Sequence, residues 1–190
     1  NIQHRIIQFI LRFQQYTAPV MAKGLEDTCF YIYNRLVSLN DVGFNPRSFG
    51  ISSTAFHLQN KQRRTDRPQA MICTSTHDSK RSEDVRLRIS VISEVAEDWR
   101  RHVGRWSRLN RYKKVLVNDT PAPSRTDEYL LYQTLFGTWP LAPPDAQKLA
   151  AYRERIEAYM LKAAREAKVH TSWINPNAEY EAALQHFVQT

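Results

Sequence analysis

Apolar residues recur along most of this chain at the three- and four-residue spacing of amphipathic helices, with polar residues filling the positions between. In IQHRIIQFILRF, residues 2–13, Ile2, Ile6, Phe9, Ile10 and Phe13 fall on one face. Pro19 and Gly24 should break that pattern before the aromatic run Phe30, Tyr31 and Tyr33. NDVGFNP, 40–46, reads as a loop, and residues 53–62 predict a short helix that TDRP at 65–68 interrupts. From Ser82 a helix sets Val85, Ile89 and Ile92 on one side, and a second runs from about Glu97 to Tyr112. A third follows the Pro-rich linker VNDTPAPSRTD, where Ser124 and Asp127 have capping-box spacing. The longest helix is predicted at 146–167, with Leu149, Tyr152, Ile156 and Tyr159 as its stripe. The last, 178–188, aligns Tyr180, Ala183, Leu184 and Phe187 behind Asn177 as N-cap.

AMIC, 70–73, is the best strand candidate, being short, apolar and bounded by polar residues. The chain therefore reads as mainly α with one or two short strands. Its 190 residues suit one domain or a piece of a larger one, and the helical rhythm present from the start, without an initiator Met, suggests a beginning in mid-domain. Apolar runs are only a few residues long and no signal segment leads the chain, so a cytoplasmic protein without membrane contact is expected. Cys29 and Cys73 sit among apolar neighbours, as small buried thiols of a reducing compartment do.

The net charge of +8 is uneven: residues 1–114 carry 20 Lys and Arg against 10 Asp and Glu, residues 115–190 carry 7 against 9. WRRHVGRWSRLNRYKK, 99–114, has no acid and interleaves aromatics with arginines, which admits a basic helical nucleic-acid-binding module. The stronger reading is a solvated helix face, with Trp99, Val103, Trp106 and Leu109 turned into a core. On that reading no nucleic acid is a partner.

Candidate chemistry concentrates in TSTHDSKRSED, 74–84. A strand ending in ionisable side chains is how a (β/α) barrel presents reactive groups at its rim. A histidine beside an aspartate can bind sugar hydroxyls, and a carboxylate near an anomeric carbon stabilises an oxocarbenium-like transition state. Glu83 and Asp84 are more simply the acidic first turn of the following helix. The six histidines lack the short spacings of zinc sites, so no metal and no other cofactor is expected.

THDSKRSEDVR, VMAKGLEDTCFYIYNRLVSLNDVG, EYLLYQTLFGTWP and YMLKAAREAKVHTSWINPNAEYE together resemble the maltooligosyltrehalose synthases of the α-amylase superfamily, over nearly the whole chain. The family pattern is HDTKRSEDVR; here Ser79 stands for Thr, which keeps the hydroxyl. The resemblance implies a partial segment of a (β/α)8 barrel, residues 1–81 with the seventh strand, followed by a helical subdomain, residues 82–190. It implies an intramolecular transglucosylase that rearranges the reducing-end α-1,4 bond of a maltooligosaccharide to an α,α-1,1 bond, in trehalose biosynthesis. Three acidic groups would serve it, with the nucleophile and the acid/base upstream of the region resembled. Asp78 matches the third, and His77 the neighbouring sugar-binding histidine. Lys80 and Arg81 would line the acceptor side, and Lys23, Glu26 and Asp27 would approach the same cleft. Such a segment should be inactive alone and either self-associate through uncovered apolar surface or rearrange its helical packing around residues 70–73. Trp139 reads as core, Trp173 and His170 stand between packing and surface function, and Arg35 is a candidate partner for Glu26 or Asp27.

Overall fold

The computed structural model describes residues 2–190, and helices dominate it. α1 (Ile2–Met21) continues through a π-helical stretch, Ala22–Cys29, into the short α2 (Phe30–Ile32). The expected break at Pro19 and Gly24 does not occur. Pro19 removes one backbone donor, but α1 is exposed along its length, so water can take the freed carbonyl. Gly24 is absorbed into the wider π turn, which Thr28 supports by donating its hydroxyl to the Lys23 carbonyl at 2.8 Å. α3 (Ser53–Asp66) runs beyond its predicted end, stopping just short of Pro68.

α4 (Glu83–Ser90) and α5 (Ala96–Asn110) lead into an antiparallel hairpin, β1 (Val115–Val117) and β2 (Thr120–Ala122). Val115 faces Ala122 and Val117 faces Thr120. Asn118 and Asp119 take φ of 49° and 59°, the left-handed backbone that both central residues of a type I′ turn need. The stretch expected as a linker thus begins with a hairpin. Ala70–Cys73 is irregular chain rather than the expected strand, with Met71 99% exposed. A lone strand cannot satisfy its backbone edges, and among the described residues no strand lies beside it. Cys73 is consequently exposed and Cys29 half-buried, against the expectation of two buried thiols.

α6 (Arg125–Thr138), α7 (Ala146–Ala167) and α8 (Ala178–Gln189) follow the predicted pattern closely. Ser124, Asp145 and Asn177 cap them, accepting backbone N–H bonds from Asp127, Lys148 and Tyr180. The return arm of the Ser124 box runs through α8. The Ser124 N–H donates to the Tyr180 hydroxyl at 2.9 Å, and that hydroxyl donates to Asp127.

The core lies where α4, α6, α7 and α8 meet, and buries Ile89, Leu130, Met160 and Leu184 together with Val37. α6 meets α4 at Gly137, where a Cβ would fall 2.6 Å from Cγ1 of Ile89. α5 contributes Trp99, whose ring meets Trp106 and Phe136 edge-on at 5.7 and 5.4 Å. Val103 and Trp106 pack beside it, while Leu109 is exposed. The packed face continues from Trp106 to Asn110, which donates to the Tyr132 hydroxyl at 3.0 Å, so Leu109 lies one step off it. None of the α1 residues is buried. No helix among the described residues is long and apolar enough to cross a membrane.

Candidate functional site

The polar knot at 74–84 is a tight turn held at both ends. The Ser79 N–H donates to the Thr76 carbonyl at 3.1 Å, closing a four-residue turn with His77 and Asp78 at its centre. The Ser79 hydroxyl accepts the Thr76 N–H at 2.9 Å, and the Thr76 hydroxyl accepts the Asp78 N–H at 3.3 Å. His77 Nε2 lies 3.3 Å from Asp78 Oδ2, and the two side chains are 91% and 67% exposed. The turn's hydrogen bonds are local and leave both side chains projecting.

Lys80, just past the turn, points the other way and is 14% exposed. Its Nζ donates to Asp27 Oδ1 at 2.7 Å, while Lys23 Nζ donates to Asp27 Oδ2 at 2.7 Å. Two motifs 53 residues apart meet at that carboxylate. The hydrogen bond from Lys23, then that from Lys80, holds the Asp27 carboxyl below its ordinary range. The same contact with Asp27 raises the Lys23 ammonium. Lys80 also lies 5.9 Å above the ring of Tyr31, whose hydroxyl burial pushes up to about 12. Glu26 accepts the Gly43 N–H at 3.4 Å, and so serves the 40–46 loop. Arg81 turns into the helical body, donating to the Val37 carbonyl at 3.2 Å and to the Tyr159 hydroxyl at 2.5 Å. Lys23, Asp27 and Lys80 are therefore brought together, with His77 and Asp78 on the adjoining turn.

Asp41 is the site residue that sequence reading passed over. It is 3% exposed and accepts from the Val42 N–H at 2.7 Å, the Lys80 N–H at 3.3 Å and Arg86 Nη1 at 3.0 Å. Arg86 donates its other nitrogen to the Thr74 carbonyl, and the Thr74 hydroxyl donates to Glu83. Beside Asp41, Asn40 donates to the carbonyls of Phe30 and Tyr33 at 2.8 and 2.7 Å. A loop of turn-forming residues reads as solvated, yet short polar side chains in irregular backbone are also what satisfies orphan peptide groups.

A cleft of about 480 Å³ opens next to Lys80 and Arg81, with Arg88, Trp139, Tyr152 and Arg155 on its walls. Trp139, expected in the core, is half-exposed and meets Tyr152 edge-on at 5.7 Å. Its helix ends at Thr138, so the ring rests on the rim of α7 instead of inside. His170 stacks on Tyr180 at 4.5 Å, and Arg165 covers the Trp173 ring at 4.8 Å, so both loop residues take part in packing. Arg35 lies over the Tyr33 ring at 5.8 Å, and Asp27 is taken by the two lysines. In the basic run, Arg100 and Arg101 pair with Glu97 and Asp98, and Lys114 with the buried Glu128 at 2.7 Å.

No family model matches the chain. A curated Mycobacterium tuberculosis protein, named provisionally as a maltooligosyl trehalose synthase, is 42% identical over 171 residues, which is 90% of this chain and 21% of that protein. Among solved structures, a hypothetical maltooligosyl trehalose synthase of Sulfolobus tokodaii superposes with a TM-score of 0.82 at 39% identity, covering 98% of this chain and 24% of that one. Maltooligosyltrehalose synthase of Arthrobacter ramosus gives 0.78 at 40% identity, covering 95% and 21%. In fold and sequence alike, the chain matches part of a much longer synthase. Those relatives are named as maltooligosyl trehalose synthases, and the chain is homologous to a stretch of them. It spans about a fifth of the length of the curated relatives it matches.

Proposed function

We propose that this chain is part of an enzyme that converts the reducing-end α-1,4 bond of a maltooligosaccharide to an α,α-1,1 bond, and that residues 74–81 form the rim of its active site. The observation that carries this reading is the exposed His77–Asp78 turn, tied through Lys80 and Asp27 to the second motif of the resemblance. The reaction retains the α configuration, so it proceeds by double displacement through a covalent glucosyl-enzyme, with the nucleophile and acid/base outside this chain. Asp78 is assigned to stabilising positive charge at the anomeric carbon in both steps, and His77 to a hydroxyl of the same ring. Lys80, Arg81, Lys23, Glu26 and Asp27 belong to the support and acceptor side of the same cleft.

A carboxylate two-thirds exposed to water interacts weakly with a developing cation, because the effective dielectric is high. Asp78 becomes effective when the rest of the enzyme and a bound sugar exclude that water. The 190-residue chain alone is therefore inactive on this reading, and residues 1–81 and 82–190 are the barrel and helical portions of the larger protein. Asp78→Asn in the full-length enzyme tests the assignment. Turnover should fall by orders of magnitude with the circular dichroism and melting unchanged; near-normal turnover would remove Asp78 from the mechanism.

A further inference from the structure

The geometry points to Asp41 and Arg86 as positioning residues for the His77–Asp78 turn, a deepening of the proposed function that rests on Asp78 acting there. The two side chains at the tip project into solvent, so their placement depends on how the backbone is held on either side. On the incoming side, Arg86 donates to the Thr74 carbonyl. On the outgoing side, the Lys80 N–H donates to Asp41 Oδ1 at 3.3 Å. The two anchors are joined to each other, since Asp41 Oδ2 accepts from Arg86 Nη1 at 3.0 Å. One ion pair, with side chains 5% and 20% exposed, thus grips both ends of the 74–80 stretch.

The pair is fixed from below as well. Asp41 also takes the Val42 N–H at 2.7 Å, and neighbouring Asn40 ties the loop to the carbonyls of Phe30 and Tyr33. The part-buried bonds on Asp41 are charge-assisted and stronger than those of surface groups. The arginine fork matters, because its two nitrogens reach two different acceptors at a fixed separation, which a lysine ammonium does not reproduce. Loss of the clamp would leave Asp78 chemically intact and displaced, and a displacement of about 1 Å from the reacting centre can cost about a hundredfold in rate.

The test uses the full-length enzyme with Arg86→Ala, Arg86→Lys, Asp41→Asn and, as reference, Asp78→Asn. Arg86→Ala should lower kcat by about 10- to 100-fold with KM changed less than about threefold, and Arg86→Lys should recover part of the loss. Amide exchange across 74–80 should accelerate by at least about tenfold while α6 keeps its protection. Turnover of Arg86→Ala within about twofold of the parent, alongside a dead Asp78→Asn, overturns the inference and leaves the proposed function standing. Unchanged exchange at 74–80 overturns it too. A near-normal Asp78→Asn overturns the proposed function instead. Should Asp41→Asn fail to fold, Arg86→Lys decides alone: a local gain in exchange with reduced kcat supports the clamp, and parental values reject it.

Discussion

Lys80 and Asp27 stand 53 positions apart in the sequence and 2.7 Å apart in the fold, and Lys23 closes on the other oxygen of the same carboxylate. That carboxylate joins the π-helical stretch to the turn bearing Asp78. Because the two lysines lower its pKa, ionised Asp27 adds stability in full above the ordinary value of 3.8, and the contribution fades as pH falls below that value through the folded one. Asp27→Asn should flatten part of the acid limb when urea midpoints are compared between about pH 5 and pH 2. Asp84, Asp145 and Glu181 are lowered as well and act on the same limb. An acid limb identical to that of the parent would show that the Lys–Asp–Lys contact does not persist in solution.

Gln133 fastens the segment after the π-helix to α6. Fully buried, it accepts the Val37 N–H at 2.9 Å and donates to the Asn34 carbonyl at 2.8 Å. Leucine fills similar space and satisfies neither group, leaving two buried peptide partners bare. Gln133→Leu should destabilise by about 2 to 6 kcal/mol, since each of the two unsatisfied buried groups costs about 1 to 3. The Val37 amide should become the fastest-changing position in hydrogen exchange, and a stability loss below about 0.5 kcal/mol would contradict this role.

Much of the helical part of the fold is legible in the sequence because its determinants are local. The stripes of α7 and α8 and the caps Ser124 and Asn177 mark their helices without reference to anything distant. The Ser79 hydroxyl, noted only as standing for a threonine's, accepts the N–H of Thr76 three residues away. What sequence missed depends mostly on partners remote in the chain, the hairpin being a local exception. A strand at 70–73 needs neighbouring strands to pair with, and the hairpin at 115–122 shows itself only through left-handed backbone at Asn118 and Asp119. Asp41 looks like a loop residue until Lys80 and Arg86 are folded onto it.

Gly137 sets the approach of α6 to α4. An added methyl would lie 2.6 and 2.8 Å from Cγ1 and Cδ1 of Ile89 and 3.1 Å from Val85, and Ile89 is completely buried. Gly137→Ala gains about 1 kcal/mol in helix propensity, but overpacking costs about 1 to 3. The expected net effect is a lower urea midpoint at unchanged slope. Adding Ile89→Val, which removes the Cδ1 contact, should recover part of the loss. A stabilised Gly137→Ala variant would mean that the two helices do not meet as described.

α1 carries a face with no cover. Ile2, Ile6, Phe9, Ile10 and Phe13 are all exposed, with Phe9 and Phe13 stacked on each other at 6.1 Å between ring centres. Such a stripe is the pattern of a helix that packs on something, and its spacing is too regular to be scattered surface residues. In water, association between chains would remove this surface. Light scattering of the 190-residue chain should therefore give a mass above the monomer that rises with concentration. Phe9→Glu with Phe13→Glu puts charges in the middle of the stripe and should return the monomer mass and lower the binding of a hydrophobic dye. Circular dichroism should hold for the rest of the molecule, because α1 buries none of its residues and contributes nothing to the core. A parent chain that is monomeric at every concentration, or a double variant that associates as the parent does, would remove α1 as the adhesive surface.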